Sequence, residues 1–199
     1  MSTDLSQRAP APGALGVVQQ FLNSVDIASG TDVLRTPADV SAWFAERRLF
    51  SRPGEQQADA LPEVGDADFG RVLQLRTALR DIAEGNLTGR AAPSAVETVN
   101  RIAALVPMAV RFDTDNTTLL TPLGEGAELA IGWILAITFD AMNTGMWQRL
   151  RLCAATDCRF AFYDASRNRT GTWCSMSTCG NRAKVRAYQQ RQRGRALPA

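Results

Sequence analysis

Apolar residues recur at helical spacing through most of the first two thirds of the chain. In "GVVQQFLNSVDIA" (16–28) Val17, Phe21, Leu22 and Val25 share one face, which predicts an amphipathic helix. "TPADVSAWFAERRLF" opens a second, with Thr36 as N-cap, Pro37 at the first helical position and Asp39 in the first turn. Its inward positions are Val40, Phe44 and Leu49. The breakers of "SRPGEQQADALPEVG" (51–65) predict a loop. From Asp66 to Glu84 a third helix carries Phe69, Val72, Leu75, Leu79 and Ile82 on one face, with Gly85-Asn86 as its stop. Ser94 and Glu97 are spaced as a capping box before "AVETVNRIAALV", a helix that Pro107 ends. The period then drops to two: "MAVRF" and "TTLLT" around "DTDN" predict a hairpin. Residues 125–152 predict one long, largely buried helix running toward Cys153, with "GEGAE" (124–128) as its entry.

This pattern divides the chain into three. Residues 1–15, with Pro10, Pro12 and Gly13, read as a disordered leader. Residues 16–148 form a helical body with one short β-hairpin, and residues 149–195 a compact C-terminal module, so the fold is mainly α. The most apolar run, "LAIGWILAITF" (129–139), stops at Asp140 and is too short to span a bilayer. The first residues lack the basic-then-apolar pattern of a signal peptide. A cytoplasmic protein, with no membrane partner, is expected.

Charge changes the picture. Eight of the 22 basic residues follow Ala165 (Arg167, Arg169, Arg182, Lys184, Arg186, Arg191, Arg193, Arg195), with none of the 20 acidic ones. An acidic body with a basic tail points to a polyanion, nucleic acid first; a solvated or self-docking tail is the plainer alternative.

The four cysteines, Cys153, Cys158, Cys174 and Cys179, follow C-x4-C-x15-C-x4-C. Two close pairs separated by a hairpin-sized spacer suit one tetrahedral Zn2+, whose four soft ligands must converge on a point. In the spacer, "RFAFYD" alternates, "ASRNRTG" turns and "TWC" brings the chain back; helix formers follow Cys174. Knuckle, β-hairpin and a helix whose first turn carries the last ligand make a treble-clef-like module. Two disulfides, or four unrelated buried thiols, are the alternatives. Four thiolates would leave no open position for water, so the zinc is structural rather than catalytic. Histidine is absent altogether, which removes Ser-His-Asp triads, Cys-His nucleophiles and His-bound metal chemistry. No enzyme is expected.

"RLCAATDCRFAFYDASRNRTGTWCSMSTCGNRAKVRAYQQR" resembles the CGNR zinc finger, whose tetrapeptide stands here as Cys179-Gly180-Asn181-Arg182. "SRNR", "WCSM" and "NRAK" strengthen the likeness, and Arg159 fills the position after the second cysteine where Gly or Arg is usual. "FLNSVD" (21–26) and "LRTPADVSAWF" (34–44) resemble the opening of the ABATE domain that precedes this finger. The resemblance implies a proposed stress-induced transcription regulator that binds double-stranded DNA.

The residues themselves suggest how. In a helix over 176–193, Arg182, Arg186 and Arg193 lie within about 40° of one another, and Lys184 and Arg191 lie on roughly the opposite side. Val185 and Tyr188 are then left to dock the helix on the hairpin. Arg186, Lys184, Arg191 and Arg193 are candidates for phosphates, with Arg167 and Arg169 of the turn adding to them. Asn181 and Arg182 suit adenine and guanine edges, or equally the capping of backbone at the start of a zinc-bound helix. Gly180 is expected to let backbone pass close to a thiolate. In the body, Asn23 and Asp26 are candidates for a small-molecule effector site, with solvent exposure or helix–helix hydrogen bonding as the plainer reading. A homodimer would imply a two-fold symmetric DNA site. The competing functions are an interaction protein whose basic helix binds an acidic protein or RNA, and a small-molecule-binding body with a purely structural finger.

Overall fold

The computed structural model describes residues 10–52 and 62–195. Six helices and three small hairpins follow one another along it. The body comprises α1 (Leu15–Leu22), β1 (Val25–Asp26), β2 (Thr31–Asp32), α2 (Pro37–Glu46), α3 (Asp66–Thr88), α4 (Pro93–Ala103), β3 (Met108–Phe112), β4 (Thr118–Pro122) and α5 (Gly126–Asn143). A 3-10 turn (Trp147–Arg149) then leads to β5 (Leu150–Leu152), β6 (Ala161–Tyr163), a π-helical turn (Met176–Gly180) and α6 (Asn181–Arg195). All three hairpins are antiparallel.

The core is built around α5, whose Ala130, Ile131 and Ile134 are fully enclosed by α1, α3 and β4. Gly132 permits this closeness: a Cβ there would stand 2.4 Å from Pro122 Cβ of β4. α2 starts as its sequence requires, with Thr36 Oγ1 accepting Asp39 N–H and Asp39 accepting Thr36 N–H. Val40, Phe44 and Leu49 are buried, as their spacing demands. The hairpin expected at 108–121 is present, with Val110 opposite Leu120.

Four elements depart from the sequence pattern, each for a local reason. α1 ends at Leu22 rather than Ala28, because Ser24 Oγ donates back to Phe21 carbonyl and Asp26 accepts Ala28 N–H, turning the chain into β1 and β2. α3 runs through Gly85-Asn86 to Thr88. Gly85 is needed inside the helix, where a Cβ would meet Ala91 backbone at 2.8 Å, and Gly89, at φ 85°, makes the actual stop. α4 starts at Pro93, with Ala92 in the cap position two residues before the expected Ser94; no side chain caps it, so the Ser94–Glu97 box is not made. The helix expected over 125–152 ends at Asn143, where Thr144 and Gly145 (φ 73°) turn the chain into the 3-10 turn and β5.

Of the segment expected as a leader, residues 1–9 lie outside the described residues. Ala11, by contrast, is buried and donates its N–H to Gln19 Oε1 at 2.6 Å. Much of the 51–65 loop (53–61) also lies outside them. No helix is long and apolar enough to cross a membrane among the described residues.

Candidate metal centre and nucleic-acid interface

β5 delivers Cys153 out of the core. Cys158 N–H and Arg159 N–H both return to Ala155 carbonyl, and Cys153 N–H to Phe160 carbonyl, so the chain folds into a tight knuckle with two thiols pointing inward. Arg159 closes it at φ 54°, a left-handed conformation that glycine adopts without strain. β6 then pairs with β5, Leu152 opposite Ala161. The sequence pattern had paired "RFAFYD" with "TWC". Instead, residues 165–173 form a loop that Asp164 holds together. Its carboxylate accepts Ser166 N–H and Gly171 N–H, and Ala154 N–H reaches Thr172 carbonyl to bring Cys174 alongside the knuckle. Ser175 caps the π-helical turn that presents Cys179.

The four sulfurs lie within 4.8 Å of one another, with Cys158–Cys174 at 3.6 Å and Cys174–Cys179 at 3.7 Å, and all four residues are buried. Zn–S bonds of about 2.3 Å in a tetrahedron set sulfurs about 3.8 Å apart, whereas a disulfide needs about 2.05 Å. The cysteines are unbridged. This is a closed, four-thiolate site for one structural zinc ion. Hydrogen bonds from Cys158 and Cys174, and from the backbone at Cys174 and Ala155, hold the Cys153 thiol down to about 3. The thiols of Cys153 and Cys158 push Cys174 up, together with burial. A divalent cation bound among the four sulfurs would let all of them ionise together.

The finger is welded to the body. Asn23, capping α1, donates Nδ2 to Ala161 carbonyl (2.8 Å) and accepts Ala161 N–H on Oδ1 (2.7 Å), and Gln19 Nε2 adds a contact to the same carbonyl (3.2 Å). Buried Arg80 bridges Leu22 carbonyl in the body and Arg159 carbonyl in the knuckle (2.8 Å). The Arg159 guanidinium pairs with Glu84 of α3, and Asn86 donates to the carbonyls of Trp147 and Leu150. Leu150, Leu152 and Ala161 belong to the body's own hydrophobic core. Asn23, read from sequence as a candidate effector contact, thus spends its amide on the finger, though it also borders a cleft with Gln19, Trp43, Arg47 and Phe160. Asp26 stands outside that lining and ties its own turn.

α6 leaves this assembly by its first turn. Ala183 and Ala187 are its half-buried positions, and they face the knuckle beside Asp157 and Trp173. Val185 and Tyr188, expected to dock the helix, are instead exposed, because the short alanine side chains occupy the docking side. Gly180 gives room to Met176 and Trp173 rather than to a thiolate: a Cβ there would stand 2.8 Å from Met176 Sδ. Arg182 donates to Cys179 Sγ (3.3 Å) and pairs with Asp157 (3.3 Å), and that sulfur contact raises its pKa further. Arg186 pairs with the same Asp157 oxygen at 2.8 Å. Asn181, Lys184, Arg191 and Arg193 are exposed, and their side chains have no partner among the described residues. Arg167 and Arg169 are exposed on the loop after β6, where Arg169 takes φ 51° and its carbonyl accepts from Arg151 (2.6 Å).

Sequence reasoning missed Asp157 and the Arg80–Arg159–Glu84 chain. Asp157 was visible as the one acidic residue inside the cysteine knuckle, 25 residues before Arg182. Arg80 and Glu84 gave no signal, since their partner Arg159 lies 79 and 75 residues away along the chain.

Residues 15–144 match the model of the ABATE family, described as "Putative stress-induced transcription regulator", and residues 149–192 match that of the CGNR zinc finger. No curated protein matches the chain. With two thirds of its length in the first match and its four-thiolate centre in the second, the chain belongs to the ABATE family and carries a CGNR zinc finger.

Proposed function

We propose that this protein is a cytoplasmic transcription regulator, not an enzyme, that binds double-stranded DNA through α6 in response to stress. The observation that carries the reading is the layout of α6. Opposite the docking side of Ala183 and Ala187 lie Asn181, Val185, Tyr188, Gln189 and Gln192, all exposed. Lys184 and Arg191 flank that strip on one side, and Arg182, Arg186 and Arg193 on the other. A helix entering the major groove needs this arrangement: amides and apolar groups toward base edges, cations toward the phosphates on both walls. Arg182, spent on Cys179 and Asp157, is better suited to fixing the helix than to reading a base, which leaves Asn181 as the better base contact.

The body would hold the effector role. The cleft beside Asn23, about 370 Å3, has walls from both the body and Phe160 of the finger, so a small molecule seated there would act on both.

The test is binding of zinc-loaded protein to double-stranded DNA across a salt series, beside a Lys184→Ala/Arg191→Ala variant. Two lost phosphate contacts should flatten the slope of log K against log salt by about 1.8. Fully metallated protein that binds no DNA overturns the reading, and preferential binding to RNA or to acidic peptides would transfer α6 to those partners.

A further inference from the structure

β3 and β4 make a sheet of only two strands, so β3 has one edge with no strand beside it among the described residues. Asp113 N–H reaches Thr117 carbonyl and Leu123 N–H reaches Pro107 carbonyl, which fixes the alternation along the strand. Odd-numbered residues of β3 turn their backbone groups toward β4, and Val110 and Phe112 turn theirs outward. The side chains at that edge are apolar and uncovered: Phe112 is 83% exposed and Val110 61%. Arg111 and Asp113 point to the other face. Such an edge is normally blunted with proline, a charge or a bulge; Met108–Phe112 contains no proline or bulge, and its one charge, Arg111, lies on the face away from Val110 and Phe112.

We propose that this edge pairs with the same edge of a second copy of the chain. The pairing is antiparallel about a two-fold axis with Phe112 opposite Phe112, joining two hairpins into a four-stranded sheet. Charge selects the register. With Phe112 on the axis, Arg111 of each copy stands directly opposite Asp113 of the other, on the face away from the phenylalanines. Asp113 Oδ1 already accepts Thr114 N–H, which leaves Oδ2 for the guanidinium. An axis at Arg111 would set two guanidiniums against each other. An axis at Val110 would put Arg111 across from Ala109 and Asp113 across from Pro107, and neither charge would be matched. The outward N–H and C=O groups of Phe112 then complete two backbone hydrogen bonds across the axis, and the exposed aromatic side chains cover one another. This surface is independent of the DNA reading of α6.

Sedimentation equilibrium of the zinc-loaded full chain, up to about 100 µM, tests the proposal. The wild type should dimerise. Arg111→Asp alone and Asp113→Arg alone each create like-charge contacts twice per dimer and should raise the dissociation constant about ten-fold or more. An equimolar mixture of the two variants should dimerise as the wild type does, because each then meets its opposite charge. Phe112→Ser should be monomeric with zinc content and helicity unchanged. A monomeric wild type, single variants that dimerise normally, or a mixture that fails to recover would each overturn it. So would a monomer whose melting point Phe112→Ser lowers, which would mean that the chain covers this edge itself.

Discussion

Replacing Asn23 by alanine removes the clamp between body and finger at its most enclosed point. Ala161 is fully buried, its N–H bonds only to Asn23 Oδ1, and its carbonyl would keep only the longer contact from Gln19. Two hydrogen bonds worth about 1 kcal/mol each are lost, and a stranded buried N–H adds roughly another 1–3 kcal/mol, for a total of about 3–5 kcal/mol. In a chain of this size each kcal/mol moves the melting temperature by about 2–4 °C, so a fall of about 10 °C is expected. Asn23→Asp should recover little, since the acceptor for Ala161 N–H returns while a carboxylate now faces Ala161 carbonyl. Thermal unfolding followed by circular dichroism, with zinc release read by a chromogenic chelator in the same scan, makes the comparison. Helix loss and zinc release should coincide in the wild type, because the two parts share one core. A variant within about 0.5 kcal/mol of wild type, the margin of an ordinary surface change, would refute the reasoning and return Asn23 to the role of a ligand contact.

Three further outcomes are expected. Asp157→Asn frees Arg182 and Arg186 from their shared acid and should tighten DNA binding while steepening its salt dependence, as titration at several ionic strengths would register. Cys179→Ser, or a strong chelator, should cost the zinc and with it the ellipticity of α6, which is anchored by the turn that carries this ligand and by the knuckle that the same ion holds in shape. Asp32 is pushed up by burial, but the hydrogen bonds from Arg76 and Leu34 N–H prevail and hold it below its ordinary value. The Arg76–Asp32 pair should therefore contribute fully above about pH 4 and lose its contribution as pH falls through the lowered folded value, so that the stability gap between wild type and Asp32→Asn shrinks in acid.

What the sequence made legible was whatever is decided locally. Thr36, Pro37 and Asp39 settle the start of α2 among themselves, and alternation settles β3 and β4. The cysteine spacing was sufficient because four sulfurs on one ion leave few ways to fold the chain between them. The errors lie where a distant partner overrides local preference. Gly85-Asn86 reads as a helix stop, yet Ala91 presses against Gly85, and Asn86 is occupied by the carbonyls of Trp147 and Leu150. "RFAFYD" alternates like half of a hairpin, but its partner strand lies upstream, at Leu150–Leu152, where core burial claims it. Basic residues on α6 were countable, but their division between free and committed depends on Asp157, whose place beside the helix only the folded knuckle determines.

The seam between the two family matches, residues 145–148, does not coincide with a seam in the molecule. Cutting there would strip Leu150, Leu152 and Ala161 from the body's interior and leave Arg80 and Asn23 facing an empty socket. Neither half is therefore a cassette that recombination can lend to an unrelated protein without damage. A lineage that keeps this finger must keep a body shaped to receive it, and substitutions at Asn23, Arg80 or Glu84 should track those at 159–161, as they do between partners that evolve together.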